Sequence, residues 1–261
     1  MFIFKRLHEI AIEGMSFKNI GDIYESGEIK VLEYLKKENE EKNVLIFDVG
    51  ANVGQYQAAI IESFKPHSNF IIHSFEPSLL TYQKLNKYKI ENIYNWQLGL
   101  GDAIEKKTLF QDHINSPLSS LYKKTKNGYY KVAEMDYSEE IEITTLDQFC
   151  EQNNIKEIDF LKIDVEGHEL FVLNGGINML NMDKIKMIQF EFGPANIDSH
   201  TYFKNFYNLL SEKFNIYRIV KRGIIPINSY FETDEVFLPC NYLAVHKSKS
   251  NNILTFFNGN R

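Results

Sequence analysis

The segment VLIFDVGANVG, residues 44–54, constrains the fold more than any other part of the chain. Four apolar residues, Val44 to Phe47, run into Asp48 and then into a loop holding Gly50 and Gly54. A helical pattern follows from Tyr56 to Phe64. A strand, a glycine turn and a helix start, in that order, point backbone N–H groups and the positive end of a helix dipole at a bound ligand. The expectation is an α/β sheet that binds a nucleotide-like small molecule at its strand tips.

The rest of the chain repeats this grammar. Apolar runs at 44–49, 70–76, 93–100, 158–164 and 186–192 alternate with helix-like stretches near 53–64, 78–88, 168–181 and 201–213. Strands separated by helices of this length predict a doubly wound, mostly parallel sheet covered on both faces. The region 101–157 interrupts the alternation. It predicts strands at 106–110 and 140–145 flanking a long polar loop around 111–138, which holds Ser116, Ser119, Ser120, Tyr122, Tyr129 and Tyr130. Loops of that length inside a compact domain are usually functional or mobile. Two further strands are predicted at 215–220 and 241–247. The organisation expected is a helical N-terminal extension at 1–43, one domain at 44–247 and a polar, partly disordered tail at 248–261.

Bulk properties remove several function classes. The net charge of −6 argues against general nucleic-acid binding, which needs a basic face. The two cysteines, Cys150 and Cys240, form no C-x-x-C pair, so a cysteine zinc site is not expected and a reducing, cytoplasmic location fits. At the N-terminus, MFIFKRLHEIAIEGMSF is interrupted by Lys5, Arg6, His8 and Glu9, unlike a signal peptide. No apolar window approaches a membrane span. The segment reads as a packing helix, with an amphipathic surface helix as the alternative. Oligomeric state is not legible.

Several residues carry chemistry. The loop has no G-x-G, so a tight pyrophosphate turn is not encoded, and Asp48 beside it suits a ligand bearing an ammonium or sulfonium group. Glu76 follows Gly54 by 22 positions, near the offset at which a carboxylate reaches a ribose diol. In LGLGD, residues 98–102, Gly99 and Gly101 permit a flat ring close to the backbone, and Asp102 offers an acceptor to an exocyclic amine. Asp164, Glu166, His168 and Glu169 crowd the end of the fourth strand. Carboxylates beside an imidazole raise its pKa and tune it as a general base, or hold a divalent cation. Glu169 is equally well explained as an acid at a helix start. Glu191, in QFEFGP, shares a strand face with Gln189, opposite Phe190 and Phe192.

The ordered set DVGANVGQY, FEP, LGD, SSL, TTLDQF, IDFLKIDVEGHE and FEF resembles the FkbM family of S-adenosylmethionine-dependent methyltransferases over roughly residues 43–247. The resemblance implies a class I methyltransferase (Rossmann-like) fold, with a seven-stranded sheet ending in an antiparallel hairpin. It implies O-methylation, often of sugars or secondary metabolites. Asp48, Gly50, Asn52 and Gly54 would line the methionine part of the cofactor, Glu76 the ribose and Asp102 the adenine. Ser119 and Ser120 would lie near cofactor or acceptor, and Asp164, His168 and Glu191 would surround the transferred methyl. Gln97 before LGLGD departs from the asparagine often found in the family, which affects the adenine side.

The expected reaction is displacement at a sulfonium methyl by an acceptor hydroxyl of a small molecule or glycan, with His168 as base and Asp164 orienting the acceptor directly or through a metal. The serines and tyrosines of the 111–138 loop, with Trp96, are candidates to pack on a sugar ring. Two competing classes are a nicotinamide-dependent oxidoreductase, disfavoured by the missing G-x-G-x-x-G, and a catalytically silent cofactor-binding module.

Overall fold

The computed structural model describes residues 1–17, 22–39, 42–65, 70–114, 116–124, 134–250 and 252–258. Eleven strands are found among them: β1 Val44–Val49, β2 Phe70–Phe75, β3 Ile93–Trp96, β4 Gly99–Gly101, β5 Glu105–Gln111, β6 Tyr137–Thr145, β7 Ile158–Ile163, β8 Ile185–Phe192, β9 Phe214–Val220, β10 Gly223–Ile227 and β11 Cys240–His246. Eight of them form the main sheet in the order β10-β9-β11-β8-β7-β1-β2-β3. The five from β8 to β3 are parallel, while β11, β9 and β10 pair antiparallel. The expected seven strands are present, and β10 is an eighth that returns along β9.

Alternation along the central strands sends side chains into two cores. Phe47, Leu161 and Phe190 join one, with Phe75, Phe149 and Phe206. Ile46, Phe160 and Met187 join the other, with Ile60, Ile72 and Leu32. On that second face the strands change character toward their carboxyl ends. Ile46 is followed two residues on by Asp48, Phe160 by Lys162, and Met187 by Gln189 and then Glu191. The register aligns these positions. Asn95, Ser74, Asp48, Lys162 and Gln189 stand side by side across five parallel strands. A polar row therefore underlies the strand tips, where open α/β sheets place their ligands.

Three expectations are corrected. The run at 93–100 is not one strand: β3 ends at Trp96, and β4 leaves for a separate three-stranded sheet, β4-β6-β5. The strands predicted within 101–157 supply the rest of that sheet. The tail is not merely polar chain, since helix Ile253–Asn258 buries Ile253 and Phe257 against helix Glu28–Glu38 and its Tyr34. The helix Phe2–Gly14 meets the packing reading only in part, since it fully buries no residue and touches the main core through the half-buried Ile12, whereas Glu28–Glu38 buries Val31, Leu32, Tyr34 and Leu35. Among the described residues no helix is long and apolar enough to cross a membrane.

Candidate active site

A cavity of about 660 Å³ opens at the carboxyl ends of β1, β2 and β7. Gly50 and Asn52 line it after β1, Glu76 after β2, and Asp164, Glu166 and His168 after β7. Leu109, Ile141 and Ile143 of the small sheet form an apolar side with Leu98 and Leu100. Ser116 and Ser119 add hydroxyls, and Asp22, Ile23, Tyr24 and Glu28 close the wall from the N-terminal extension.

The glycine loop differs from its expected role. Gly50 and Ala51 both donate to the Phe75 carbonyl at 3.0 Å, Asn52 N–H donates to Glu76 Oε2 at 3.0 Å, and Gly54 N–H to the Ala51 carbonyl at 2.9 Å. Val53 N–H is bound to the Asn52 side chain. These amides are spent inside the protein, so the loop is not a cradle that offers N–H groups to an anion. Gly50 has φ +81°, and a Cβ there would lie 1.8 Å from the Asp164 carbonyl oxygen. Its missing side chain lets the first loop meet the end of β7. Gly54 starts helix Gln55–Phe64 with φ +91° and is not on the cavity wall.

Glu76 is held by backbone donors. Its Oε2 accepts from Asn52 and its Oε1 from Ser78 N–H at 2.9 Å. Burial pushes its pKa up to about 7, against the lowering effect of those two bonds. Each oxygen keeps a lone pair for a further donor.

A second cluster is built on the polar row. Asp48 is fully buried and off the cavity wall. Its nearest cation is Lys162, whose Nζ lies 3.4 Å from both Asp48 Oδ1 and Asp164 Oδ2 and 5.1 Å from the centre of the Tyr56 ring. Burial acts to lower the Lys162 pKa, but Asp164, Asp48 and Glu28 outweigh it and hold the ammonium charged. Tyr56 Oη donates to Gln189 Oε1 at 3.1 Å, and Gln189 donates to Glu28 Oε1 at 2.6 Å. Glu166, with φ +54°, pairs with Lys124 at 2.6 Å. One carboxylate oxygen from each of Asp164, Glu166 and Glu191 falls within 4.8 Å of the others, a spacing that three ligands of one divalent cation can adopt. Burial, then repulsion from Asp164, Glu166, Glu169 and Glu28, raises the Glu191 pKa well above 4.5.

His168 departs from expectation. Its ring is buried, stacks on Phe171 at 4.6 Å between centres, and has Nδ1 2.8 Å from the Tyr122 hydroxyl. Burial, followed by the Lys107 charge, pushes its pKa down to about 3 rather than up. The neighbouring Glu169 does not counter this, because its Oε1 accepts from Val165 and Gly167 N–H and braces the turn. A neutral imidazole of such low basicity is a poor proton acceptor at neutral pH.

The remaining expected residues divide. Ser119 is on the cavity wall, whereas Ser120 is buried behind it and donates to the Glu166 carbonyl at 2.7 Å. Gly99 lines the cavity, but Gly101 faces His168, where a Cβ would lie 2.9 Å from Nε2. Asp102 is exposed and off the wall. Trp96 is also off it: the indole stacks on His73 and donates to His73 Nδ1 at 3.1 Å. Tyr129 and Tyr130 lie outside the described residues. Sequence reasoning missed Lys162, Tyr56 and Glu28. Lys162 had a visible signal, a lysine amid an otherwise apolar buried strand.

A model described as the methyltransferase FkbM domain matches residues 48–217. The chain belongs to the methyltransferase FkbM domain family. The chain is 29% identical over 174 residues to the hexuronic acid methyltransferase AglP of Haloferax volcanii, a match spanning 64% of each chain. Among solved structures, it resembles the plantazolicin methyltransferase BpumL in complex with SAH (11% identity, 85% and 83% of the two chains, TM-score 0.42). It also resembles Aeropyrum pernix fibrillarin with bound S-adenosyl-L-methionine (11% identity, 86% and 76%, TM-score 0.42). On the cavity wall Glu76 keeps free lone pairs that suit a diol, and Glu28, Asp164 and Glu166 stand there beside the Lys162 ammonium.

Proposed function

We propose that the protein transfers the methyl group of S-adenosylmethionine to a hydroxyl of a sugar or glycan. The observation that carries this reading is one cavity lined by both Glu76 and Asp164. The likeness to a hexuronic acid methyltransferase supports the acceptor class.

The bound donor supplies an electrophilic methyl on a positively charged sulfur. Glu76 accepts from the ribose hydroxyls. The apolar wall of Leu98, Leu100, Ile141 and Ile143 receives the adenine, in place of the contact expected from Asp102. Gly50 and Asn52 shape the methionine end, while Asp48 acts from beneath by fixing Lys162. Asp164 accepts the acceptor's hydroxyl proton as the oxygen–methyl bond forms and the sulfur–methyl bond breaks with its electron pair on sulfur. The base role expected of His168 passes to Asp164, and His168 with Tyr122 positions the turn over which the acceptor lies. Holding oxygen, carbon and sulfur in line supplies about 7 kcal/mol or more in favourable cases. Ser116 and Ser119 line the cavity with hydroxyl oxygens that can accept from a polyol.

Transfer of tritium from labelled S-adenosylmethionine to a panel of free sugars, nucleotide sugars, glycans and non-sugar hydroxyl compounds tests the proposal. A base-stable methyl ether on a sugar is expected. Transfer only to non-sugar compounds contradicts the acceptor class, and tight cofactor binding with no transfer anywhere favours the silent module. Repeating the assay with a chelator tests whether Asp164, Glu166 and Glu191 work through a metal.

A further inference from the structure

We propose that Lys162 is a positioning residue for methyl transfer, its ammonium setting the direction of the Asp164 carboxylate on the cavity wall. The inference rests on the reading of Asp164 as the group that takes the acceptor's proton. The Asp164 side chain is 43% exposed. Among the described residues no group donates a hydrogen bond to its carboxylate, and its one ion-pair partner is Lys162, whose Nζ lies 3.4 Å from Oδ2. A half-exposed aspartate left to itself divides among the staggered rotamers. One ammonium therefore decides which of them is taken.

The ammonium has little freedom of its own. The register places Asp48 of β1 and Gln189 of β8 on either side of Lys162 in β7. The Asp48 side chain is 0% exposed and its Oδ1 lies 3.4 Å from Nζ, while the Tyr56 ring covers the ammonium at 5.1 Å. Tyr56 is tied in turn. Its hydroxyl donates to Gln189 Oε1, and Gln189 Nε2 donates to Glu28 Oε1. Ser26 Oγ donates to the other Glu28 oxygen, Oε2, at 2.6 Å. Ser26, Glu28, Tyr56 and Gln189 are all buried, and a buried network with its members paired is rigid. The N-terminal extension thus takes part, through Glu28, in placing a carboxylate at the far side of the sheet's polar row.

A lysine suits this place. Its ammonium is a point charge with three N–H donors on a long stem, so it serves Asp48 and Asp164 at once. The ion pair to Asp164 uses one side of one oxygen and leaves lone pairs for an incoming hydroxyl. Proton acceptance needs the carboxylate within about 2.6–3.2 Å of that hydroxyl while oxygen, methyl and sulfur stay in line. A misplacement of about 1 Å costs on the order of 10²-fold in rate. Lys162 itself neither gives nor takes a proton in this scheme.

Lys162→Met, compared with the natural chain, gives two independent readings. In crystals of both with S-adenosylhomocysteine, the Asp164 carboxylate of the variant should be turned from its direction in the natural chain, with the β7 backbone in place. In methyl transfer to a sugar identified by the tritium panel, kcat should fall about 10²-fold. The affinity for S-adenosylhomocysteine and the acceptor KM should each stay within about threefold. Lys162→Ala should regain part of its lost kcat with added ethylammonium and not with tetramethylammonium, which has no N–H, a rescue that a merely structural lysine would not show. An Asp164 carboxylate that keeps its direction in Lys162→Met overturns the proposal whatever the kinetics. A turned carboxylate with undiminished kcat instead overturns the reading of Asp164 as proton acceptor. The crystallographic reading needs no acceptor, so it stands even where no sugar is methylated. If Lys162→Met does not fold, Tyr56→Leu, which strips the ring from the ammonium, carries the same readings with about a tenfold loss of kcat.

Discussion

Two parts of the cavity wall, here called the Glu76 end and the Asp164 end, are built in opposite ways. The Glu76 end is local: consecutive strand–loop units, β1 and β2, supply Asn52, Glu76 and Ser78, and backbone N–H groups alone hold the carboxylate. The Asp164 end is assembled from distant segments, with Glu28, Asp48, Tyr56, Lys162 and Gln189 meeting across the sheet. A locally built end resists single side-chain changes around it. An end made of mutually dependent buried charges is sensitive to any one of them, because each removal leaves a partner unsatisfied.

The largest expected effect lies in turnover. Asp164→Asn keeps the shape of the side chain but removes its basicity, and kcat should fall by about 10²–10⁴. His168→Ala should cost far less and leave the pH profile of kcat unchanged. If Asp164→Asn retains near-normal kcat while His168→Ala abolishes an acidic limb of the profile, the assignment of base and positioning residue is inverted.

Stability gives the next effect. Lys162→Met leaves Asp48 buried beside Asp164 with no cation between them, and should cost about 3 kcal/mol in urea unfolding. No change in the urea midpoint would mean that the polar row does not depend on its lysine.

The smallest effect is a slope. The Glu76 pKa is about 7 in the folded chain against an ordinary 4.5. The folded state then binds the proton more tightly, so this residue's contribution to stability declines as pH rises from about 4.5 to about 7. The buried His73 and His168 act in the other direction, since their pKa values are pushed down to about 4 and about 3. The diagnostic quantity is therefore the melting temperature of Glu76→Gln minus that of the natural chain. It should grow across pH 4.5–7 and level off above, whereas a flat difference would place Glu76 in a more hydrated setting.

The local end was largely legible in the chain. A strand, a glycine turn and an acid some twenty residues later depend on neighbours in sequence, so Gly50, Asn52 and Glu76 could be placed before any coordinates. Asp164 was legible for the same reason, as the tip of an apolar strand. What escaped depends on register and burial. Lys162 acquires its meaning only when β1, β7 and β8 align Asp48, Lys162 and Gln189. Sequence proximity suggested that acids would raise the His168 pKa, yet desolvation prevails and Glu169 faces the backbone instead. Asp102 followed a strand that in fact breaks at Trp96. How far the first helix meets the body was not legible, because an apolar stripe has the same periodicity whether it meets a core or another surface.

Calorimetric titration of S-adenosylhomocysteine into the natural chain, Glu76→Ala and Asp164→Asn tests the division of the cavity most directly. Loss of hydrogen bonds to a charged acceptor predicts binding weakened about tenfold or more in Glu76→Ala. Affinity in Asp164→Asn should stay within about threefold of the natural chain, less than one ordinary hydrogen bond is worth. Unchanged affinity in Glu76→Ala together with collapse of binding in Asp164→Asn would contradict the account.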